Sequence, residues 1–176
     1  MSVGNIFAVT NQKGGVGKTT TTVNLAASLA DSGKKVLMID LDPQGNATTG
    51  CGIDKDAIET SSYEVIMAEA KASDAIIRPE GLGFDVMPTN TDLTAAEVQL
   101  LEIKLREHRL RLALESSKEK YDFILIDCPP SLSMLTVNAL VASKGVLIPI
   151  QCEYYALEGL TSLLRTIERV KQRANP

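Results

Sequence analysis

The stretch Asn11-Gln12-Lys13-Gly14-Gly15-Val16-Gly17-Lys18-Thr19-Thr20 constrains this chain most. An apolar run, Ile6-Phe7-Ala8-Val9, precedes it, and an apolar-periodic segment ending near Asp31 follows. Strand, glycine-rich turn and helix are the surroundings that a phosphate cradle needs. Glycines let the backbone bend tightly and turn its N–H groups toward one point. The following helix adds the positive end of its dipole. Lys18 would bring a full charge to the β- and γ-phosphates, and Thr19 a hydroxyl to Mg²⁺. The loop departs from the standard pattern G-x-x-x-x-G-K-[ST] at one place. Gln12 stands where the first glycine belongs, and a second lysine, Lys13, follows it. A plain turn with two solvated lysines is the competing account. The position of Gly17-Lys18-Thr19 between strand and helix argues against it.

Hydropathy along the chain predicts the frame around this loop. Residues 4–10 read as a buried first strand. Residues 18–30 read as a helix with Val23, Leu25, Ala26, Leu29 and Ala30 inward and Gly33 as its left-handed cap. Residues 35–40 form a second, mostly apolar strand, and residues 41–53 read as a loop. Helical pieces are expected between 54 and 79, the best of them over 63–71. Residues 84–87 are a short strand stopped by Pro88, and 93–117 read as one long amphipathic helix. Its apolar positions include Leu100, Leu101, Leu105, Leu112 and Leu114, and its His108 reads as a surface residue. A strand over 121–126, a helix over 132–142, a strand over 144–150 and a helix over 156–174 complete the chain. This alternation implies a three-layer α/β/α fold with a mostly parallel sheet. At 176 residues the whole chain, 1–176, reads as a single domain.

In open sheets of this kind, ligands sit beyond the carboxyl ends of the strands. Asp40 and Asp42 follow the second strand, and Asp127 ends the strand predicted over 121–126. Magnesium keeps several waters and takes one or two carboxylates plus phosphate oxygens. Asp127 fits that carboxylate role, with a helix cap before Pro129 as its alternative. Residues i and i+2 on a strand point the same way. If strand geometry persists, Asp40 and Asp42 would both face the phosphates, one positioning water and the other holding the metal's shell. Either would otherwise cap a turn with Pro43 and Gly45.

The net charge of −4 gives no case for nucleic-acid binding by the chain as a whole. Arg165, Arg169, Lys171 and Arg173 read as a solvated helix face. Cys51, Cys128 and Cys152 form no C-x-x-C and no zinc spacing, and read as reduced thiols. No signal peptide and no apolar run of roughly 18 residues is visible, so a cytoplasmic protein without membrane attachment is expected.

Four motifs in order resemble the ParA/MinD family of ATPases. Lys13 to Thr19 looks like its deviant Walker A motif. Asp40-Leu41-Asp42-Pro43-Gln44-Gly45-Asn46 resembles its Walker A′ segment, and Ile126-Asp127-Cys128-Pro129-Pro130-Ser131 its Walker B segment. Gln151-Cys152-Glu153-Tyr154-Tyr155-Ala156-Leu157-Glu158-Gly159-Leu160 is similar to a stretch of the ParA/Soj partition branch. The resemblance implies a P-loop fold, ATP and Mg²⁺ as ligands, and slow ATP hydrolysis coupled to a monomer–dimer switch. Gly14, Gly15, Val16, Gly17, Lys18, Thr19 and Thr20 would cradle the phosphates. Lys13 would reach across a homodimer to the partner's phosphates, and Glu153 would lie near the nucleotide at that interface. Thr19, Asp127 and Asp42 would serve the metal, and Asp42, with Asp40 beside it, the attacking water. Cys128 reads as packing.

The resemblance further implies a ParB-type partner, nonspecific DNA binding by the full-length family, and a role in chromosome or plasmid segregation. Members of this branch continue well beyond the last helix here. The family's C-terminal portion, with much of its basic DNA surface, is therefore expected to be missing, and DNA binding by this chain weak or absent. A MinD-like regulator of division-site placement is the alternative, as is a nucleotide-binding module that does not hydrolyse. An iron–sulfur dimer would need bridging cysteines, which Cys51, Cys128 and Cys152 do not supply.

Overall fold

The strands β1 (Asn5–Val9), β2 (Val36–Asp40), β3 (Asp85–Met87), β4 (Phe123–Asp127) and β5 (Gly145–Leu147) pair in the order β3–β2–β4–β1–β5. Every neighbour in that order is parallel. The computed structural model describes residues 5–151 and 156–175. The helices are α1 (Lys18–Asp31), α2 (Asn46–Gly50), α3 (Ser62–Met67), α4 (Ala72–Ala75), α5 (Leu93–Gln99), α6 (Arg109–Leu114), α7 (Met134–Ala142) and α8 (Ala156–Arg173).

Alternation along the strands divides the core into two layers. Ile6, Ala8, Leu37, Ile39, Ile124 and Ile126 face one cluster, with side chains from α3, α5, α6 and α7. Phe7, Val36, Met38, Phe123 and Leu125 face the other, against Ala26 of α1 and Ala47 of α2. A sheet covered on both faces lets β2 be buried at all five positions, the apolar signature of a central parallel strand. The three-layer parallel fold expected from the sequence is the fold observed.

The registers set the functional geometry. Asp127 pairs with Val9 on one side and with Asp40 on the other. Three strands thus end at one level, the loop after β1 standing beside two carboxylates.

Three expectations need correction. The predicted helix over 93–117 is broken into α5, two 3₁₀ turns (Leu100–Glu102 and Arg106–His108) and α6. Leu105 has φ +56, outside helical geometry. The buried Asn138 holds the break: its Nδ2 donates to the Arg106 carbonyl at 2.8 Å, and its Oδ1 accepts from the Leu110 N–H at 3.1 Å. Leu100 and Leu114 are buried as predicted, but Leu101, Leu105 and Leu112 are exposed and His108 is half-buried. The predicted loop over 41–53 also contains a helix, α2. The helix expected over 63–71 stops at Met67, because Ala68 turns to φ +60. Gly33, at φ +79, closes the first helix as expected. Among the described residues, no helix is long and apolar enough to cross a membrane.

Candidate functional site

Residues 10–17 link β1 to α1 and turn on glycines. Gly15 and Gly17 have φ +72 and +86, a region that side chains with a Cβ rarely enter. Gly17 caps α1, and its carbonyl accepts the first helical bond from Thr21 N–H at 2.8 Å. The Lys18 side chain curls back across the loop, and its Nζ donates to the Lys13 carbonyl at 3.2 Å. Lys18 is only 7% exposed, so its charge lies at the base of the turn. Lys13 is partly exposed, and Thr20 lies on the solvent side of the first helical turn.

Three residues to which the sequence assigns no role of their own hold this arrangement. Asn11 is buried; its Oδ1 accepts from the Lys13 N–H at 3.0 Å and its Nδ2 donates to the Pro149 carbonyl at 2.8 Å. Gln151 Nε2 donates to the Gly15 carbonyl at 3.1 Å. Thr22, one turn beyond the loop, has its hydroxyl 2.9 Å from the Lys18 carbonyl and 3.1 Å from Asp127 Oδ1. Asn11 and Gln151 carry no sequence signal for these contacts. Thr22 carries one, its i+3 spacing from Thr19, which places both hydroxyls on one face of α1.

The Thr19 hydroxyl donates to Asp127 Oδ2 at 2.8 Å. The expected magnesium residues of the loop and of β4 therefore touch. Burial pushes the Asp127 carboxyl up to about 6, and nearby Asp42 adds to the shift. Hydrogen bonds from Thr19 and Thr22, and the charge of Lys18, oppose it. Hard oxygen donors, a hydroxyl against a carboxylate, suit Mg²⁺ and its retained waters.

Asp40 and Asp42 differ sharply. The strand ends at Asp40, so the two are not successive positions on one strand face. Asp40 is fully buried; its Oδ1 accepts from Asp42 N–H at 3.1 Å, and its Oδ2 from Thr48 N–H at 2.8 Å and the Thr48 hydroxyl at 2.7 Å. This carboxylate satisfies a first-turn N–H of α2, which explains a helix in the sequence Asn-Ala-Thr-Thr-Gly. Burial and then the charge of Asp127 push Asp40 up to about 7. Asp42 is 7% exposed, and its Oδ1 accepts from Gln44 N–H at 3.0 Å. Cys128 is buried with its thiol against the Ile126 carbonyl, a packing role. Glu153 and Cys152 lie outside the described residues.

The raised carboxyls have a measurable consequence. Between the ordinary value of 3.8 and the folded-state values of about 6 and about 7, the folded protein binds more protons than the unfolded chain. Their stabilising contribution is complete below 3.8 and is lost as pH rises through the folded values. The Tm of the ligand-free protein is expected to fall between about pH 5 and pH 7.5, by on the order of 5 °C. Calorimetry across that range checks it, and Asp127→Asn is expected to flatten the fall.

A glycine-rich loop between a parallel strand and a helix, with a buried lysine beneath it and a threonine on the adjacent strand-end aspartate, defines a P-loop nucleotide-binding protein. The chain belongs to the AAA domain family (AAA_31), whose model matches residues 4–176. It is 53% identical over 173 residues to the sporulation initiation inhibitor protein Soj of Bacillus subtilis, covering 98% of this chain and 68% of that protein. It is 51% identical over 173 residues to the chromosome partitioning protein ParA of Caulobacter vibrioides, covering 97% of this chain and 65% of that protein. The chain thus spans about two thirds of the length of these relatives. Among solved structures, it superposes with TM-score 0.95 and 44% identity on cobyrinic acid a,c-diamide synthase from Mycobacterium smegmatis with bound ATP analogue and magnesium. That match covers 99% of this chain and 71% of the other.

Proposed function

We propose that this chain binds ATP with Mg²⁺ and hydrolyses it slowly, as part of a partition ATPase that works by ATP-dependent pairing of two copies. The observation that carries this reading is the Thr19–Asp127 hydrogen bond at 2.8 Å, beside the buried ammonium of Lys18. A hydroxyl and a carboxylate meet where the metal of a nucleotide would lie, and a cation sits under the phosphate loop. The similarity to Soj and ParA supports the partition role.

In this reading Gly14 to Thr20 hold the phosphates through backbone N–H groups, and Lys18 neutralises them from below. Thr19, Asp127 and Asp42 hold Mg²⁺ directly or through its waters. Held there, Mg²⁺ would supply positive charge against the negative charge that builds on the phosphate oxygens. Asp42 orients the attacking water and accepts its proton, and Lys13 serves the phosphates of the partner copy. Asp40 acts by holding the loop that carries Asp42, since its two oxygens already accept three hydrogen bonds. Glu153 would lie near the nucleotide at the dimer interface. The protein would work in the cytoplasm with a ParB-type partner and, in its full-length relatives, on nonspecific DNA.

Sedimentation and phosphate release with ATP, ADP and GTP test the reading directly. Asp42→Ala is expected to slow ATP turnover by about 100-fold or more while the ATP-bound dimer accumulates. Turnover at the wild-type rate would remove Asp42 from the chemistry, and equal sedimentation with ATP and ADP would remove the switch.

A further inference from the structure

We propose that Thr48 is a positioning residue for Asp42, acting through Asp40 and tying the catalytic loop to the end of β3. The inference rests on the ATPase reading above and assigns a determinant of its rate. Asp40, Thr48 and Thr89 are all 0% exposed, so their polar groups must be satisfied within the protein. One hydroxyl serves two of them. Thr48 Oγ1 donates to Asp40 Oδ2 at 2.7 Å and accepts from the Thr89 N–H at 3.0 Å. The other Asp40 oxygen accepts from the Asp42 N–H at 3.1 Å. Asp42 in turn accepts through its carbonyl from Gly45 N–H at 2.8 Å. Gly45, at φ +66, begins the helix that carries Thr48.

The result is a closed ring: Asp40 to Asp42, through the Gly45 turn into α2, and back from Thr48 to Asp40. Thr89 fastens the ring from outside, two residues past the end of β3. Its chain is fixed in turn, since the neighbouring Pro88 carbonyl accepts from Ser62 N–H at 2.8 Å. The backbone of Asp42 is therefore set by the Thr48 hydroxyl, although Thr48 belongs to no phosphate-binding motif. Replacing that hydroxyl with a methyl group removes one donor from Asp40 and strands the buried Thr89 N–H. Both changes bear on the loop of Asp42, and neither bears on the separate loop that holds Lys18.

The test is a split between rate and affinity. Thr48→Val is expected to lower kcat about 10- to 100-fold, the scale of a displaced catalytic group, with ATP affinity within about threefold of wild type. Thr48→Ser keeps the hydroxyl and is expected to restore most of kcat. In an Asp42→Ala background, Thr48→Val is expected to slow turnover no further, because the group it positions is gone. Unchanged kcat in Thr48→Val, failure of Thr48→Ser to restore it, or additive losses in the double variant would each overturn the inference. Should Thr48→Val not fold, hydrogen exchange of the wild-type Thr89 amide decides: exchange as slow as that of the β2 core supports the bond, and fast exchange overturns it. A wild-type chain without ATP turnover sinks the ATPase reading itself. A wild-type chain that turns over while Thr48→Val is unaffected sinks only the role of Thr48.

Discussion

Lys18→Ala is expected to leave a folded protein that no longer holds ATP, with affinity down by about 100-fold or more. The size follows from where the ammonium sits. It is 7% exposed and donates to the Lys13 carbonyl, so it lies inside the turn that would surround the phosphates. Removing one partner of a buried, hydrogen-bonded charge pair costs on the order of 2–5 kcal/mol in binding, and 2.7 kcal/mol is already about 100-fold. Lys18 is also one of the groups that hold the Asp127 carboxyl down against burial. Its loss is expected to raise that carboxyl further and to weaken Mg²⁺ binding in parallel. Titration with a fluorescent ATP analogue, with circular dichroism as a check on folding, measures both. Unchanged affinity would show that the loop is not the phosphate site.

Lys13→Ala is expected to behave in the opposite way, sparing ATP binding and removing turnover. The Lys13 main chain is built into the loop through Asn11 and Lys18. Truncating its side chain leaves those two bonds in place, and affinity is expected to stay within about threefold. A cation supplied across an interface to a transferring phosphoryl group contributes about 10³- to 10⁵-fold in rate. Loss of ATP-dependent dimerisation should accompany a fall of at least about 10³-fold in turnover. Light scattering and phosphate release on the same samples separate the two effects. A variant that pairs normally with ATP and still hydrolyses it would remove Lys13 from the partner's site.

Both predictions depend on a loop that was legible in the sequence because its signal is local. Glycine, lysine and threonine stand in a fixed order between an apolar run and a helical period. The buried strands were legible for a related reason: Val36 to Ile39 are apolar at every position, and only a sheet covered on both faces uses such a run. The broken helix was not legible. Leu100, Leu101, Leu105, Leu112 and Leu114 satisfy a helical period. What breaks the helix is Asn138, a side chain 28 and 32 residues away from the groups it holds. In α2 every residue but Ala47 is a poor helix former, and the deciding group is Asp40 at the end of β2. The same contact separates Asp40 from Asp42. Their roles depend on whether the strand continues past residue 40, which no property of the two aspartates fixes.

The hook that Asn11 makes on Pro149 joins residues 138 positions apart in the chain. Gln151 adds a second thread, to Gly15. The shape of the phosphate loop is thus a property of two segments, and the ten-residue motif grafted elsewhere would lack half of its mould. Linkage makes the dependence reciprocal. A contact that fixes Pro149 and Gln151 supports the loop, and a ligand seated in the loop would steady those two residues by the same free energy.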